Sequence, residues 1–250
     1  MTTTMNRENP AEAQGVRELK LTDQAPDCEI VINRKLYDLK VMSRERKVVD
    51  IGCGYGRNRP IVESVGGEWT GVEPFEGGAH TVVADAEDLP FEDNSYDVAI
   101  MDAVLEHIPD VGKAFTEVAR ILKPGGVFIG YVAYMECFHE ISYAHLSFKA
   151  LEHYSNINGM TLEKIGGGGA FGIDYHTAVL LYPVPTRLLR KFMAWTIRGT
   201  FKMKSRAAYW GLRLKRRLPA AEAKATADLY YKVECLRQSV GFDYIIRKKT

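Results

Sequence analysis

The sequence lacks long apolar runs, an apolar segment near its start, and closely spaced cysteines. Its uninterrupted apolar runs, such as 98–101 and 178–182, are far shorter than the ~20 residues that cross a bilayer. The first ten residues are mostly polar, so no secretory signal is expected. The cysteines, at positions 28, 53, 137 and 235, do not have the spacing of metal or redox motifs. We therefore expect a cytoplasmic protein with reduced thiols and no metal site.

Acidic residues are scarce in the last part of the chain, although the whole sequence carries a net charge of only +1. Residues 1–182 contain 16 Lys and Arg against 28 Asp and Glu, whereas residues 183–250 contain 17 against 4. Net charge bears on association rather than on fold. Either the acidic part docks on the basic part, or the two parts meet different partners.

The pattern of apolar segments predicts an α/β protein. The 250 residues are 46% hydrophobic, which suits one α/β domain with an additional segment. Short apolar strands alternate with helical segments, so we expect a parallel sheet covered on both faces. The predicted strands are 47–51, 68–73, 80–84, 97–101, 126–133, 160–165 and 242–248, and the predicted helices are 57–65, 111–121, 147–156 and 220–238.

This pattern also suggests how the chain is divided. Residues 1–27 are polar and aperiodic, and we expect a mobile arm there. The core is predicted to be 28–165 plus 241–250, with one or two helices between 28 and 47. Residues 166–240 are then an insertion that contains basic amphipathic helices and covers the acceptor side.

A glycine-rich turn is the most informative segment. An apolar run ends in Asp50-Ile51 and leads directly into Gly52-Cys53-Gly54-Tyr55-Gly56. Glycines let a backbone turn sharply and approach a ligand closely, and the amides of a following helix can face that ligand. Such turns also connect strands to helices without binding anything. The spacing here is Gly-x-Gly-x-Gly and not the Gly-x-Gly-x-x-Gly of dinucleotide folds.

Acidic residues follow the next strands. Glu73 ends the second predicted strand, 21 residues after Gly52, where an acid can accept hydrogen bonds from a ribose diol. Asp85 follows the third strand, where it can meet an adenine amino group. Asp102 follows the fourth strand, and Lys123-Pro-Gly-Gly126 leads into the fifth.

In this order and spacing, the motifs resemble those of the class I S-adenosylmethionine-dependent methyltransferases, specifically the type 11 group. The resemblance extends over residues 47–165. It implies a Rossmann-like, seven-stranded, mostly parallel sheet with an antiparallel last strand, and a helical insertion between strands six and seven. It also implies S-adenosyl-L-methionine as the cofactor.

The resemblance assigns a role to each matching position. The methionine end would lie at Asp50, Gly52, Cys53 and Gly54, the ribose at Glu73, the adenine at Asp85 and Ala86, and the sulfonium near Asp102. Acids suit these contacts, because the ligand offers a sulfonium, an ammonium, a diol and an exocyclic amine.

The acceptor side is predicted from the loop after the fifth strand. The sulfonium methyl is already activated, so the protein mainly aligns an acceptor and removes its proton. Within residues 134–148 we expect His139 and His145 to act as general base or to orient the acceptor, with Tyr143 and Glu136 in support. Such a loop can also simply cap the sheet. His107, on a short helix nearby, is expected to hold a turn.

The type of acceptor is narrowed by two absences. The fourth strand ends in Asp102-Ala-Val-Leu and not in the Asn/Asp-Pro-Pro-aromatic signature of enzymes that methylate DNA-base amines. No set of carboxylates for a Mg²⁺-dependent mechanism is evident. We therefore expect metal-free methylation of a small-molecule or glycan-type acceptor, most readily on oxygen, and no nucleic-acid substrate.

The basic segment 183–218 leaves several partners open. It would suit an anionic membrane surface, with peripheral association, or a phosphorylated or lipid-linked acceptor, or a homodimer contact. It could also be a helical lid that only packs on the core. Two other functions stay as alternatives: a non-catalytic S-adenosylmethionine-binding scaffold or regulator, and an NAD(P)-dependent oxidoreductase, against which the glycine spacing argues.

Overall fold

In the computed structural model, eight strands of the described residues form one sheet. The structure describes residues 25–32, 35–135, 141–167 and 187–250. The strands are β1 (Glu29–Val31), β2 (Lys47–Ile51), β3 (Glu68–Glu73), β4 (Val82–Val83), β5 (Tyr96–Asp102), β6 (Leu122–Ala133), β7 (Met160–Gly166) and β8 (Gly241–Lys248). Their order is β1-β7-β8-β6-β5-β2-β3-β4. Only β8 is antiparallel to its neighbours, which are β6 and β7.

The described residues also form six α-helices. They are α1 (Leu39–Ser43), α2 (Arg59–Glu63), α3 (Val111–Ile121), α4 (Phe148–Ile157), α5 (Arg187–Leu214) and α6 (Ala220–Arg237), and a 3₁₀ turn spans Leu105–His107. None of the helices in the described residues has an apolar stretch long enough to cross a membrane. The helices α5 and α6 lie in sequence between β7 and β8.

The central strands are buried on both faces, as their continuous apolar runs predict. Along β2 and β5, successive side chains alternate between two separate cores. Val49 and Ala99 belong to the core beneath α3 and α4, whereas Val48 and Val98 belong to the core beneath α1 and α2. The sheet therefore has a helical layer on each side, which confirms the predicted α/β architecture.

The strand β1, at the start of the core, was not predicted from the sequence. We expected one or two helices between 28 and 47; the described residues of this range form one helix, α1, and in addition the strand β1, which pairs in parallel with β7. Ile30 and Val31 of β1 are buried, so this short strand gains an apolar cover at the sheet edge. Pairing with a distant strand is a tertiary contact, and local periodicity does not reveal it.

The other elements lie close to their predicted positions, but β6 is longer. It begins at Leu122 instead of residue 126 and therefore includes Pro124. Residues 1–24 of the expected arm lie outside the described residues, as do 168–186 of the expected insertion.

Candidate active site

Three acids lie at the carboxyl edge of neighbouring parallel strands. Asp50, Glu73 and Asp102 stand at the ends of β2, β3 and β5, and β2 pairs directly with both other strands. Asp50 and Glu73 are buried, whereas Asp102 is partly exposed. In open α/β sheets this edge, near the reversal of strand order, is where ligands bind. The fold thus brings together three of the acids that the sequence singled out.

The glycine turn joins β2 to α2 at the same edge. The Gly52 amide donates to the Val72 oxygen over 2.8 Å, which ties the turn to β3. Gly52 has a φ of +70°, and a Cβ there would lie 2.4 Å from Val104 Cγ2. Gly54 also has a positive φ, +53°, but a Cβ there would meet open space. Gly52 is therefore required for packing, whereas Gly54 faces a space that a ligand can occupy.

Glu73 is held against this turn. Its carboxylate accepts a hydrogen bond from the Gly54 amide, which links the end of β3 to the glycine turn. The buried Cys53 thiol lies between the acids: burial, Asp50 and Glu73 together raise its pKa to about 11. The Cys53 thiol therefore stays protonated at neutral pH, which makes it a packing group in the wall of the site and not a nucleophile.

The buried carboxyl group of Asp50 has a raised pKa. Burial raises its pKa from 3.8 to about 6, although hydrogen bonds from Trp69 and Asn58 oppose the shift. Trp69 Nε1 lies 3.1 Å from Asp50 Oδ2, and Asn58 Nδ2 lies 3.2 Å from the same oxygen. Neither partner was singled out in the sequence, because both contacts join separate elements.

Two further residues of the edge were also missed. Arg57 Nη2 forms an ion pair with Asp102 Oδ2, so the third acid is partly neutralised. Tyr37 is half-buried, and burial followed by the charges of Asp102 and Asp243 raises the pKa of its phenol. Because Arg57 directly follows Gly56, its position next to the glycine turn could have been noticed in the sequence. No local pattern distinguished Tyr37.

Asp85 and Ala86 follow β4, next to Glu73. The Ala84 amide donates to the main-chain carbonyl oxygen of Glu73 over 2.9 Å, so this segment continues along the same edge. Asp85 is exposed, and its Oδ1 accepts from the Glu87 amide over 2.9 Å. Ala86 is buried. The Asp85 carboxylate therefore supports its own turn and still has accessible surface.

The loop after β6 is attached to the turn after β5. The Tyr143 amide donates to the main-chain carbonyl oxygen of Glu106 over 2.8 Å, and His107 Nδ1 donates to the main-chain carbonyl oxygen of Ile141. This contact agrees with the holding role that we expected for His107. Among the predicted acceptor-side groups, His145 is half-buried and Tyr143 is exposed. His139 and Glu136 lie outside the described residues.

His145 also has a hydrogen-bond partner within the loop. Ser142 Oγ lies 2.7 Å from His145 Nε2. A hydroxyl at this distance orients the imidazole ring. No group of three or more His, Cys, Asp or Glu in the described part of the chain is arranged to hold a metal ion.

The chemistry of the edge fits S-adenosylmethionine. Asp50, Glu73 and Asp102 supply negative charge and hydrogen-bond acceptors, which match a cationic ligand with a diol and disfavour a pyrophosphate. The space beside Gly54 is open, and the buried Nδ1 of His80 has no hydrogen-bond partner among the described residues. A Cβ on Gly78, between these groups, would lie 3.0 Å from the Gly54 oxygen and 3.2 Å from His80 Nδ1.

Residues 49–130 match the family model described as a methyltransferase domain. This match identifies a methyltransferase domain in residues 49–130, and the antiparallel strand β8 and the acidic carboxyl edge of the described sheet agree with the class I S-adenosylmethionine-dependent type. S-adenosyl-L-methionine is accordingly its cofactor.

Two relatives of this chain are named as methyltransferases. An uncharacterized methyltransferase of Mycobacterium sp. (strain JLS) is 30% identical over 146 residues, covering 52% of this chain and 58% of that protein. The sterol 4-C-methyltransferase strm-1 of Caenorhabditis elegans is 34% identical over 106 residues, covering 36% of this chain and 32% of the enzyme. The chain thus spans less than two thirds of the length of each of these relatives.

A solved structure agrees with the fold. The YcgJ protein of Bacillus subtilis superposes with a TM-score of 0.50 at 18% identity, covering 85% of this chain and 96% of that one. At this identity the likeness concerns the fold alone.

Proposed function

We propose that the protein transfers the methyl group of S-adenosylmethionine to a small-molecule acceptor. The observation that carries the proposal is the set of acids at the carboxyl ends of β2, β3 and β5, next to the open space at Gly54. The similarity to a sterol methyltransferase supports a small acceptor.

Each acid then has a distinct part in binding. Glu73, fixed by the Gly54 amide, accepts hydrogen bonds from the ribose diol. Asp50 supplies a buried negative charge for the ammonium group, and Asp102 with Arg57 closes the edge near the sulfonium. Asp85 and Ala86 border the adenine. When bound, S-adenosylmethionine supplies a methyl group on a positively charged sulfur, which is reactive without further activation.

On the acceptor side we propose methylation of oxygen, with His145 as the base. Its ring is oriented by Ser142, and the loop that carries it is held to the turn after β5 by Glu106 and His107. His145 would take the hydroxyl proton of the acceptor while Tyr143 contacts the acceptor from the exposed side. His139 stays a second candidate. The acceptor class includes glycan-type molecules, whose hydroxyl groups suit this chemistry.

Calorimetry with S-adenosylhomocysteine tests the cofactor site. Glu73→Gln should weaken binding by about tenfold or more, because a charged acceptor for the diol is lost. Glu68→Gln, at the opposite end of β3, is the matched control and should bind normally. Gly54→Arg should abolish binding by filling the open space. Gly54→Ala is its control, because alanine there has the same positive φ without that bulk. Unchanged affinity in Glu73→Gln and Gly54→Arg would refute the site.

Turnover with a panel of hydroxylated acceptors tests the base. His145→Ala should lower the rate by about 100-fold or more while S-adenosylhomocysteine affinity is unchanged. His153→Ala, on the exposed face of α4, is the control. Full activity in His145→Ala would remove this residue as the base. Cofactor binding without turnover on any acceptor would instead favour the scaffold alternative.

A further inference from the structure

The outer face of α5 carries a stripe of exposed apolar side chains. They recur at intervals of three, four, seven or eight residues, so they share one face of the helix. They are Leu188, Phe192, Trp195, Met203, Trp210 and Leu214, each between 58% and 81% exposed. The rings of Phe192 and Trp195 already stack, with centroids 6.0 Å apart. Large apolar side chains that share one exposed face of a helix mark a surface that contacts something apolar.

The opposite face of α5 fixes this orientation. Ala194 and Phe201 are buried against Cys235 of α6, and Ser205 Oγ donates to the Ala227 oxygen over 2.7 Å. The helix is therefore anchored by its own inner face. The side chains of the apolar stripe therefore do not take part in packing α5 on the rest of the protein.

Positive charge surrounds the stripe. Residues 187–217 contain eleven Lys and Arg and no Asp or Glu. Lys191, Lys202 and Arg206 are exposed close to the apolar row. At about 1.5 Å per residue, this surface is about 40 Å long. Aromatic and aliphatic side chains within a field of cations are typical of helices that lie in the interface of an anionic bilayer.

The helix α5 lies near the carboxyl ends of the parallel strands, as the cofactor site does. Ile32, directly after β1, packs against the cluster of Ala194, Phe201 and Cys235. β1 is parallel to β7, and both run in the direction of the parallel strands that carry Asp50 and Glu73. The carboxyl ends of these strands share one edge. A surface that contacts α5 next to Ile32 therefore lies on the carboxyl side of the sheet, as the acids of the cofactor site do.

We propose that the outer face of α5 docks on an anionic membrane surface, with its apolar stripe among the lipid headgroups. A second copy of the chain is a poorer occupant, because a symmetric contact through this face would oppose cations to cations. A polyanion such as RNA would leave Leu188 and Leu214 in water. The docking rests on α5 alone. Its consequence, an acceptor drawn from the membrane, rests on the proposed methyl transfer.

Co-sedimentation of the full chain with vesicles tests the docking without any cofactor. We expect binding to equimolar phosphatidylcholine and phosphatidylglycerol, weakened by salt, and little binding to phosphatidylcholine alone. Lys191→Glu/Lys202→Glu should weaken binding by at least about 25-fold, since each cation near the surface contributes about fivefold. Phe192→Ser/Trp195→Ser should weaken it by about tenfold or more.

Matched variants on other helices serve as controls. Lys40→Glu/Arg44→Glu on and next to α1 makes the same charge change, and Val41→Ser/Ile157→Ser removes two exposed apolar side chains elsewhere. Both should bind like the unmodified chain. Thermal melts should show that all four variants remain folded, because the altered side chains are exposed or half-buried.

Several results would overturn the docking. One is absence of binding to the anionic vesicles, and another is equal loss in the control variants. A third is a dimer, measured by sedimentation equilibrium, that Phe192→Ser/Trp195→Ser dissociates without any vesicle binding. A fourth is salt-sensitive binding to a polyanion with none to vesicles. Loss of methyl transfer with intact vesicle binding would refute the proposed function and leave the docking in place.

Discussion

At the scale of single residues, the buried carboxyl group of Asp50 serves the cofactor site but, when ionised, lowers the stability of the folded protein. Its carboxyl group is buried next to the turn and receives hydrogen bonds from Trp69 and Asn58. These bonds do not fully replace water, so burial raises the pKa to about 6. An ionised Asp50 is therefore unfavourable in the protein unless a cation lies against it.

This shift predicts a pH dependence of folding. The unfolded group titrates near 3.8 and the folded group near 6. The stability from the protonated folded group is thus fully present below pH 3.8 and is lost as the pH rises to 6, by about 3 kcal/mol. Asp50→Asn has no such titration. Urea unfolding across this range should show Asp50→Asn gaining stability relative to the unmodified chain as the pH rises.

The comparison with Asp50→Asn is needed because other carboxyl groups titrate in the opposite sense. Hydrogen bonds to Lys123 and Arg120 lower the pKa values of Asp97 and Glu117, and their contribution is lost as the pH falls. These groups are present in both proteins and cancel in the difference. A difference that stays constant with pH would contradict the assignment to Asp50.

At the scale of elements, α3 holds the segment after β4 in place. Arg120 Nη1 and Nη2 donate to the Phe91 and Leu89 oxygens over 2.6 and 2.8 Å. Glu117 in turn accepts from the Leu89 amide over 2.8 Å and from Arg120. One turn of a helix therefore satisfies both polar groups of Leu89. The segment that includes Asp85 owes its position to α3.

We predict that Arg120→Lys loosens this segment, because a lysine keeps the charge but lacks the planar set of donors. The free energy of unfolding should fall by about 2–4 kcal/mol. The Leu89 amide should exchange with solvent faster, and S-adenosylhomocysteine should bind more weakly.

The control is Arg59→Lys. Arg59 pairs with Glu63 one turn away on α2, and both side chains are 51% exposed. This substitution should cost less than about 0.5 kcal/mol. Equal stability losses in the two variants would show that Arg120 is an ordinary surface cation.

At the scale of the whole molecule, β8 holds two parts of the sheet together. It pairs with β6 on one side and β7 on the other, although it comes from the last ten residues. Tyr244 is fully buried, and its hydroxyl donates to the Met101 oxygen over 3.0 Å. Without β8, β7 and β1 have no neighbour that connects them to the rest of the sheet.

Deletion of residues 241–250 should therefore abolish cooperative folding. A thermal melt followed by circular dichroism should show no sharp transition, because a long buried edge of β6 becomes unpaired. Deletion of Thr250 alone should leave the transition unchanged, since this residue lies beyond the strand. A cooperative melt in the longer deletion would show that β8 is dispensable.

Much of this molecule could be predicted from the sequence where the signal was local. The apolar runs of β2 and β5 and the acids that follow β2, β3 and β5 are continuous in the chain. The contacts of Asp50 with Trp69, of Asp102 with Arg57, and of Tyr37 with the edge could not be predicted, since they join residues far apart in sequence. The same holds for β1, because the sequence did not predict its pairing with β7.

The sequence by itself determined the order of strands and helices, the glycine turn and the excess of cations in its last part, because each depends on neighbouring residues. It also placed aromatic residues among those cations, without deciding which of them face solvent. The tertiary structure decided that. By burying Ala194 and Phe201, it left Trp195 and Trp210 exposed, and it set α5 at the edge that carries Glu73. Burial depends on which surfaces meet, and only the folded chain brings them together.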